Sequence, residues 1–388
     1  MPKQLIKATA KRLAEGVDRA FASTALAPSG RTKRNSSAEG LGHDARIAGL
    51  AMLEGFYDLA EHTDREGPFF TRPQAITPDL QRQRRFGRDG EVIDLQWRSA
   101  FEPFWAPEAL AAALGDDADL AAAIERFGLD RSAALHDKYL SVGPNMVGHA
   151  RWFHHRDQVR PCVVLLHGYL GGNYLLEERL WPVRRLFDGG LDVVLSILPF
   201  HGPRRDPRRG LRPPAFPSSD PRFTIEGMRH MVHDQRALFD YLREGRVASL
   251  GVMGMSLGGY SAALLATLEP LDFAVLYIPL AAIDRFAHEH GRMVGEADEQ
   301  QAQAEALRRA HAVISPLSRP PLLPPERAIV IAGESDLVTG VEHSRMLADH
   351  FGSELTTFDG GHILQVGRDR AFEPVYEMLA RAGLHAPS

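Results

Sequence analysis

One serine of this 388-residue sequence lies in the pattern Gly-x-Ser-x-Gly, at residues 254–258 (GMSLG). A short apolar run precedes the motif, and an Ala- and Leu-rich stretch with helical spacing follows it. A serine that projects from so sharp a strand-to-helix turn has a strained backbone, and glycines two residues before and after it relieve the crowding. The motif therefore predicts that Ser256 is a nucleophile.

The alternative interpretation of this motif is a glycine-rich turn that contains a serine by accident. With 19 serines and 35 glycines in the chain, chance alone supplies about 0.15 such matches per sequence. The predicted strand before the serine and the predicted helix after it favour the catalytic interpretation, because an exposed nucleophile at such a turn needs both.

A second glycine-rich turn, HGYLGG at residues 167–172, follows an apolar run. An enzyme that attacks a carbonyl group must hold the oxygen that becomes negative, usually with two backbone N–H groups. We expect one N–H from Leu257, after the nucleophile, and the other from Tyr169, because Gly168 allows the backbone to turn. A flexible turn without a role is the alternative. His167 is expected to support this loop rather than to act as a base.

A serine hydroxyl also needs a general base, and the base needs an acid that fixes its tautomer. Among the 17 histidines, His362 is the best candidate, because it follows two glycines in the loop after the last predicted strand. The acid is expected after the preceding strand, where Asp336 is preferred to Glu334 because it lies farther into the loop, before an apolar pair. Asp359 is expected to stabilise its turn. The resulting order along the chain, serine, aspartate, histidine, is the one that nucleophile turns of this kind use.

Together these groups predict acyl transfer in two steps through a covalent acyl-enzyme, without a cofactor. No metal is expected either. The sequence offers two candidate ligand pairs, residues 288–290 (HEH) and His230 with His233, but neither belongs to a complete zinc signature.

Two segments are predicted to leave the sheet at the edge where these residues lie. The loop at residues 201–222 is rich in arginine and proline, and a run of charges is usually a solvated surface. The alternative is a clamp for phosphate or carboxylate that contains Arg204 and Arg205, which would suit a phospholipid or an acyl-CoA. A second segment, about residues 283–323, is expected to form a helical cap insertion.

The elements that position these residues alternate between short apolar strands and amphipathic helices, which predicts a mainly parallel α/β sheet with helices on both faces. In such sheets the active site lies beyond the carboxyl ends of the strands. We predict a helical extension and linker over residues 1–88 and a catalytic domain over residues 89–388, with a helical insert at about 103–143. Strands are predicted from residue 92 and at 146–153, 161–166, 192–198, 250–253, 273–278, 328–332 and 354–358.

Composition limits the remaining classes of function and location. A net charge of −5 argues against general binding to nucleic acid. The one cysteine, Cys162, cannot form an intramolecular disulfide and is expected to be buried and inert. No apolar run is long enough for a transmembrane segment, and the basic N-terminal helix is expected to pack on the protein or fray rather than rest on a membrane. We predict a cytoplasmic protein that acts on a small acyl substrate, with homo-oligomerisation left open.

From about Val92 to the C-terminus the sequence resembles the α/β-hydrolase superfamily, through the motifs H-G-Y-L-G-G, G-M-S-L-G-G, G-E-S-D-L-V and G-G-H-I. The resemblance implies an eight-stranded sheet and a catalytic triad of Ser256, His362 and Asp336. It also implies esterase, lipase, thioesterase or peptidase activity. Residues 198–204 and 361–363 further resemble the branch around α/β-hydrolase domain-containing protein 18.

The sequence therefore favours a serine hydrolase that cleaves a carboxylic ester or a related acyl bond. A transacylase, a thioesterase or a peptidase with the same three residues is the alternative within enzymes. A non-catalytic binding protein of the same fold is the alternative from another class, and such proteins typically lack one member of the triad.

Overall fold

The computed structural model describes residues 2–25, 42–58, 62, 64–103 and 132–384. Within them, the fold is organised by a nine-stranded sheet in the order β1-β2-β3-β5-β4-β6-β7-β8-β9. The strands are β1 (Asp79–Phe86), β2 (Gly90–Arg98), β3 (Val147–His155), β4 (Arg160–Leu166), β5 (Asp192–Ser196), β6 (Val247–Met255), β7 (Phe273–Tyr277), β8 (Ala328–Gly333) and β9 (Glu354–Phe358).

The direction of pairing changes across the sheet. Strands β1, β2 and β3 pair antiparallel, and β3 also pairs antiparallel with β5. From β5 through β4, β6, β7 and β8 to β9, every neighbouring pair is parallel. The inner parallel strands are continuously buried, as every residue of β5, β7 and β8 is, because helices cover both of their faces. The predicted α/β class with a mostly parallel sheet is confirmed.

The sheet has nine strands where the resemblance implied eight. The additional strand is β1, with the sequence DLQRQRRF, in which every residue but the last is exposed. A strand at the sheet edge without alternating apolar residues gives no periodic signal, and its charges discourage pairing with another chain. Because β1 pairs with β2 from Asp79 onward, the sheet begins before the predicted domain boundary at residue 89.

Helices connect the strands and pack on the two faces of the sheet. The described helices are α1 (Pro2–Ala25), α2 (His43–Phe56), α3 (Ser132–Leu140), α4 (Tyr174–Leu180), α5 (Val183–Asp188), α6 (Pro221–Arg243), α7 (Leu257–Leu268), α8 (Ile283–Glu289), α9 (Ala297–Ala310), α10 (Gly340–Phe351), α11 (Arg368–Ala371) and α12 (Glu373–Arg381). Short 3-10 turns lie between several of them.

A hydrophobic core lies on each face of the sheet. Successive side chains of a strand point to opposite faces, and β4 shows the result. Its residues Val164 and Leu166 belong to one buried cluster, whereas Val163 and Leu165 belong to the other. Cys162 is fully buried in the first cluster, as expected from its apolar surroundings. This two-sided packing fixes the parallel strands and therefore the loops that leave their carboxyl ends.

The segments outside the sheet are described in part. The predicted N-terminal helix is present as α1, and Ala14 and Asp18 on it are fully buried. Most of the predicted linker (residues 27–42) and of the helical insert (residues 103–143) lies outside the described residues. The predicted cap segment contains α8 and α9, and Arg309 of α9 pairs with Glu54 of α2 at 2.9 Å. None of the described helices is long and apolar enough to cross a membrane.

Candidate active site

Ser256 lies at the turn between β6 and α7 in a strained backbone conformation, with φ 57° and ψ −114°. Non-glycine residues rarely adopt a positive φ, and such strain is typical of functional turns. The flanking glycines allow it. A Cβ atom on Gly254 would lie 1.9 Å from the carbonyl oxygen of Gly258, and one on Gly258 would lie 2.0 Å from that of Leu166. Strand, helix and neighbouring strand therefore approach one another more closely than any side chain would permit.

The structure brings Ser256, His362 and Asp336 into one hydrogen-bonded chain. The Ser256 Oγ atom lies 2.9 Å from His362 Nε2, and His362 Nδ1 lies 2.8 Å from Asp336 Oδ2. Because the carboxylate can only accept, the Nδ1 atom carries the proton and Nε2 is left to accept from the serine hydroxyl. All three residues are at least nine-tenths buried. They follow β6, β9 and β8, so they meet at the carboxyl edge of the parallel strands.

Opposing effects set the charge of this pair. Burial alone would raise the pKa of Asp336, but the His362 charge and hydrogen bonds from His362, Val338 and Thr339 lower it to about 2. Burial alone would lower the pKa of His362, but the Asp336 carboxylate, the hydrogen bond to it and a smaller contribution from Asp18 raise it. The aspartate is therefore ionised near neutral pH, and its charge stabilises the protonated form of the imidazole.

The loop after β8 holds Asp336 in the buried site and leaves Glu334 exposed to solvent. Asp336 Oδ1 accepts hydrogen bonds from the backbone N–H groups of Val338 (2.8 Å) and Thr339 (2.9 Å). The Thr339 hydroxyl lies 2.9 Å from Asp336 Oδ2 and 3.3 Å from His362 Nδ1. Glu334 is exposed and accepts from the Thr357 hydroxyl at 3.1 Å. Of the two candidate acids, the geometry joins Asp336 to the histidine.

The turn after β4 lies directly against Ser256. A Cβ atom on Gly168 would be 3.3 Å from the Ser256 Cβ atom, so the bare backbone of this turn faces Ser256. Within the described residues, neither the Tyr169 N–H nor the Leu257 N–H donates to a protein acceptor. Backbone N–H donors that have no protein acceptor are what an oxyanion hole requires.

His167 supports this turn, in agreement with its expected structural role. Its Nδ1–H donates to the Gly168 carbonyl oxygen (2.8 Å), and its Nε2 atom accepts from the Leu198 N–H (3.1 Å). Burial lowers its pKa, so the ring is neutral and has one donor and one acceptor, each satisfied. The imidazole thereby ties the turn after β4 to the loop after β5.

Two residues at the site gave no functional signal in the sequence. Thr339 contacts both Asp336 and His362, as described above. Asp18, on the distant helix α1, accepts a hydrogen bond of 2.7 Å from the His362 backbone N–H. For Asp18, helical spacing is the one indication of burial, because Asp18 follows the fully buried Ala14 by one turn and therefore lies on the same face of α1. Otherwise a lone aspartate in a helix rich in basic residues indicates a solvated position.

Arg204 does not form the exposed anion clamp that the sequence allowed. Its side chain is only 1% exposed, and Nη2 forms a salt bridge of 2.6 Å with the equally buried Asp234. Its Nη1 atom donates to the Ile197 carbonyl oxygen and its Nε atom to that of Asn145. The charge therefore joins the loop after β5 to α6, and its N–H groups are used within the fold. The sequence could not show this, because the partner lies on a separate helix.

Arg205, the next residue, is exposed, and its part in substrate binding stays a prediction. Arg208, in the same loop, pairs with Asp206 at 2.8 Å. Of the candidate metal ligands, His230 lies in the Arg204 network, 3.1 Å from Asp234. His290 has its Nε2 atom 2.8 Å from the Val338 carbonyl oxygen. In the part of the chain that the structure describes, no group of three or more His, Cys, Asp or Glu side chains could hold a metal ion.

No family model matches this sequence. The chain is 33% identical over 231 residues to two curated proteins of Mycobacterium tuberculosis, one from strain CDC 1551 / Oshkosh and one from strain ATCC 25618 / H37Rv, both described as uncharacterised. Each match covers 58% of this chain and 55% of the relative. The matched part thus spans about half the length of the curated relatives.

Two solved structures resemble the chain over most of its length. One is acetyl xylan esterase 1 from Thermoanaerobacterium sp. JW/SL YS485, with a TM-score of 0.51 and 15% identity over 84% of this chain and 93% of that one. The other is the acetyl xylan esterase from Paenibacillus sp. R4, with a TM-score of 0.50 and 14% identity over 84% of this chain and 94% of that one. At these identities the likeness concerns the fold.

Arg204 and Arg205 are adjacent in the sequence, but Arg204 is buried and Arg205 is exposed. Alanine variants of the two residues therefore distinguish a structural role from a surface role. Replacing Arg204 by alanine leaves the Asp234 carboxylate buried without its cation, which we expect to lower the free energy of unfolding by about 3–5 kcal/mol. Replacing Arg205 by alanine is the matched control and should leave it nearly unchanged, because that side chain is exposed. Urea unfolding followed by circular dichroism measures both. Equal stability of the two variants would contradict the assignment of Arg204.

Proposed function

We propose that this chain, which has the α/β-hydrolase fold, is a serine hydrolase that cleaves a carboxylic ester or a related acyl bond. The observation that carries the proposal is the continuous chain from Ser256 Oγ through the His362 ring to Asp336, with contacts of 2.9 and 2.8 Å. In the proposal, the Tyr169 and Leu257 N–H groups, which donate to no protein acceptor among the described residues, supply the second requirement of acyl transfer, donors for a developing oxyanion.

In the first step His362 Nε2 takes the proton from the Ser256 hydroxyl while Oγ attacks the carbonyl carbon. The carbonyl oxygen becomes negative and is held by the N–H groups of Tyr169 and Leu257. The imidazolium formed at His362 is stabilised by the Asp336 carboxylate. It then gives its Nε2 proton to the leaving alcohol oxygen, the bond between carbonyl carbon and that oxygen breaks, and the acyl group stays on Ser256.

In the second step water replaces the alcohol. His362 Nε2 takes a proton from the water while its oxygen attacks the acyl carbon, and the same two N–H groups hold the second oxyanion. When this intermediate collapses, the bond from carbon to Ser256 Oγ breaks and His362 returns the proton to the serine. The carboxylic acid leaves and the resting site is restored. The hydrogen bonds from His362 and from the Val338 and Thr339 N–H groups keep Asp336 ionised and fixed throughout, against the effect of its burial.

Exposed apolar side chains surround the site and support a substrate with an apolar acyl or alcohol group. Leu170 follows the predicted oxyanion residue Tyr169, Leu337 follows Asp336, and Ile363 follows His362. These three side chains are 44%, 42% and 45% exposed, respectively. Burying them against a substrate would contribute about 25 cal/mol per Å² of apolar surface removed from water. Arg205 remains the candidate contact for an anionic group of a lipid or acyl-CoA substrate.

The nucleophile is tested by comparing wild type with Ser256→Ala. We expect a fluorophosphonate probe to label the wild type and not the variant, because the probe bonds to the serine oxygen. Hydrolysis of nitrophenyl esters should fall by about 10⁴-fold or more in the variant. With esters of graded length, KM of the wild type should decrease as the acyl chain lengthens, because a longer chain buries more of the exposed Leu170, Leu337 and Ile363 side chains.

The matched control is Ser261→Ala, one turn farther along α7. Ser261 is fully buried and donates its hydroxyl hydrogen bond to the Leu257 carbonyl oxygen at 3.0 Å. Its variant should retain labelling and turnover. Absence of both in the wild type, or their persistence in Ser256→Ala, would refute the proposed function.

The acidic limb of the pH profile of kcat/KM tests the assignment of His362 as the general base. Only the neutral imidazole accepts the serine proton, and the Asp336 carboxylate raises the pKa of His362 against the effect of burial. We therefore expect kcat/KM to rise with pH about a midpoint above 6.5, the ordinary histidine value. In Asp336→Asn the raising charge is gone, so the limb should move to lower pH while kcat falls by about 10⁴-fold. A wild-type midpoint below 6.5, or a limb that Asp336→Asn leaves in place, would exclude this assignment.

A further inference from the structure

The N-terminal helix α1 places a buried carboxylate against the backbone of the proposed catalytic loops. Asp18 is fully buried. Its Oδ2 atom accepts hydrogen bonds from the N–H groups of His362 (2.7 Å) and Leu337 (3.1 Å), and its Oδ1 atom accepts from the N–H of Ile363 (2.9 Å). One side chain thus satisfies three backbone donors that lie beside His362 and Asp336.

These donors belong to two separate loops. Leu337 follows Asp336 in the loop after β8, whereas His362 and Ile363 lie in the loop after β9. Because Oδ2 accepts from both loops, it couples the backbone next to the acid to the backbone of the base. The distance between the Asp336 carboxylate and the His362 ring depends on where these two backbones lie, so Asp18 acts on the geometry of their 2.8 Å contact.

The neighbouring glycine fits this contact closely. A Cβ atom on Gly361 would lie 2.6 Å from Asp18 Oδ2, so any side chain at position 361 would push the carboxylate away. Ala14, one turn before Asp18 on the same face of α1, is also fully buried. The small residue at 14 and the absent side chain at 361 allow the helix to approach the loop. The alternative, a surface aspartate that caps its own helix, does not fit a residue buried in the middle of α1.

We propose that Asp18 is a positioning residue of the active site, through which the N-terminal helix α1 holds the His362 and Asp336 loops in their reactive arrangement. The proposal rests on the serine hydrolase function proposed above. Without the carboxylate, the N–H groups of Leu337, His362 and Ile363 lose their buried acceptor. A buried donor without an acceptor is costly, so the loops would relax toward other partners. Small displacements of a base from its nucleophile reduce reactivity strongly.

Asp18 also acts on His362 through its charge. Among the described residues, the charges that act on the ring are those of Asp336 after β8 and Asp18 on α1. Farther away, Arg368 at the start of α11 contacts the Gln365 side chain, which in turn donates to the His362 carbonyl oxygen. Both carboxylates raise the pKa of His362. The pKa of His362 therefore distinguishes an action of Asp18 on the base from a general contribution to stability, because a change in stability alone does not shift the pKa of one imidazole.

The test is Asp18→Asn in the full chain. Asparagine has nearly the same shape, but its amide NH2 group replaces one acceptor oxygen and faces N–H donors, and the negative charge is lost. Glu15→Gln is the matched control, because it removes one charge from the same helix at a side chain that is not fully buried. The readouts are the second-order rate of fluorophosphonate labelling as a function of pH, and the titration of His362 by NMR of isotope-labelled histidine.

We expect labelling of Asp18→Asn to be about 10- to 100-fold slower than that of wild type at the pH optimum. Its acidic limb, and the His362 titration, should lie at lower pH, because a carboxylate that favours the imidazolium has been removed. Glu15→Gln should match wild type in both readouts. An Asp18→Asn variant with the wild-type rate and the wild-type titration overturns the proposal.

Gly361→Ala gives a second test that leaves Asp18 in place, and it decides the matter if Asp18→Asn does not fold. Its new Cβ atom displaces the carboxylate, so labelling should slow and the limb should move in the same direction. The double variant should be little worse than Asp18→Asn alone, since both changes remove one contact. A normal Gly361→Ala, or strictly additive effects, counts against the proposal. If wild type is not labelled at all, the hydrolase function fails, whereas the His362 titration still shows whether Asp18 acts on the ring.

Discussion

The hydrogen bond between His362 and Asp336 is the interaction on which the proposed chemistry depends. Other buried imidazoles of this chain show why. Burial lowers the pKa of His201 to about 3 and that of His311 to about 4. Such rings stay neutral near pH 7 but bind a proton too weakly to serve as good bases. His362 is buried as well, and the Asp336 carboxylate reverses the sign of the shift. Burial orients the ring, and the carboxylate restores its affinity for the proton.

That hydrogen bond in turn requires the parallel half of the sheet. Strands β8 and β9 are neighbours, so the loops after them can place Asp336 and His362 side by side. Strands β4 and β6 are also neighbours, which brings the turn after β4 against Ser256. The sequence could predict this much, because buried parallel strands are continuous apolar runs and each motif directly follows one of them. Glycines within the motifs indicated where backbones come close, as at Gly254 and Gly258.

The sequence could not predict features that depend on partners remote along the chain. Every residue of the edge strand β1 but the last is exposed, and its sequence has no periodic signal. Arg204 belongs to a run of arginines, which indicates a solvated loop, yet it pairs with Asp234 in the interior. Thr339 is one hydroxyl among many until the fold places it between Asp336 and His362. In each case the local pattern agrees with exposure, and only the three-dimensional arrangement shows the contact.

Asp18 and Arg204 share a physical reason for being charged and buried near the site. An isolated charge in the interior costs several kcal/mol, so it persists only where several groups of opposite polarity surround it. A loop that must present a reactive side chain often leaves its own N–H or carbonyl groups unpaired, because its backbone follows no regular ladder. A charged side chain from another element satisfies several such groups at once, three N–H groups for Asp18 and two carbonyl oxygens together with Asp234 for Arg204. Irregular loops and buried charges thus stabilise one another. A charged residue on the buried face of a helix that lies outside the sheet, as Asp18 does on α1, is therefore a reason to look for a loop that needs its hydrogen bonds.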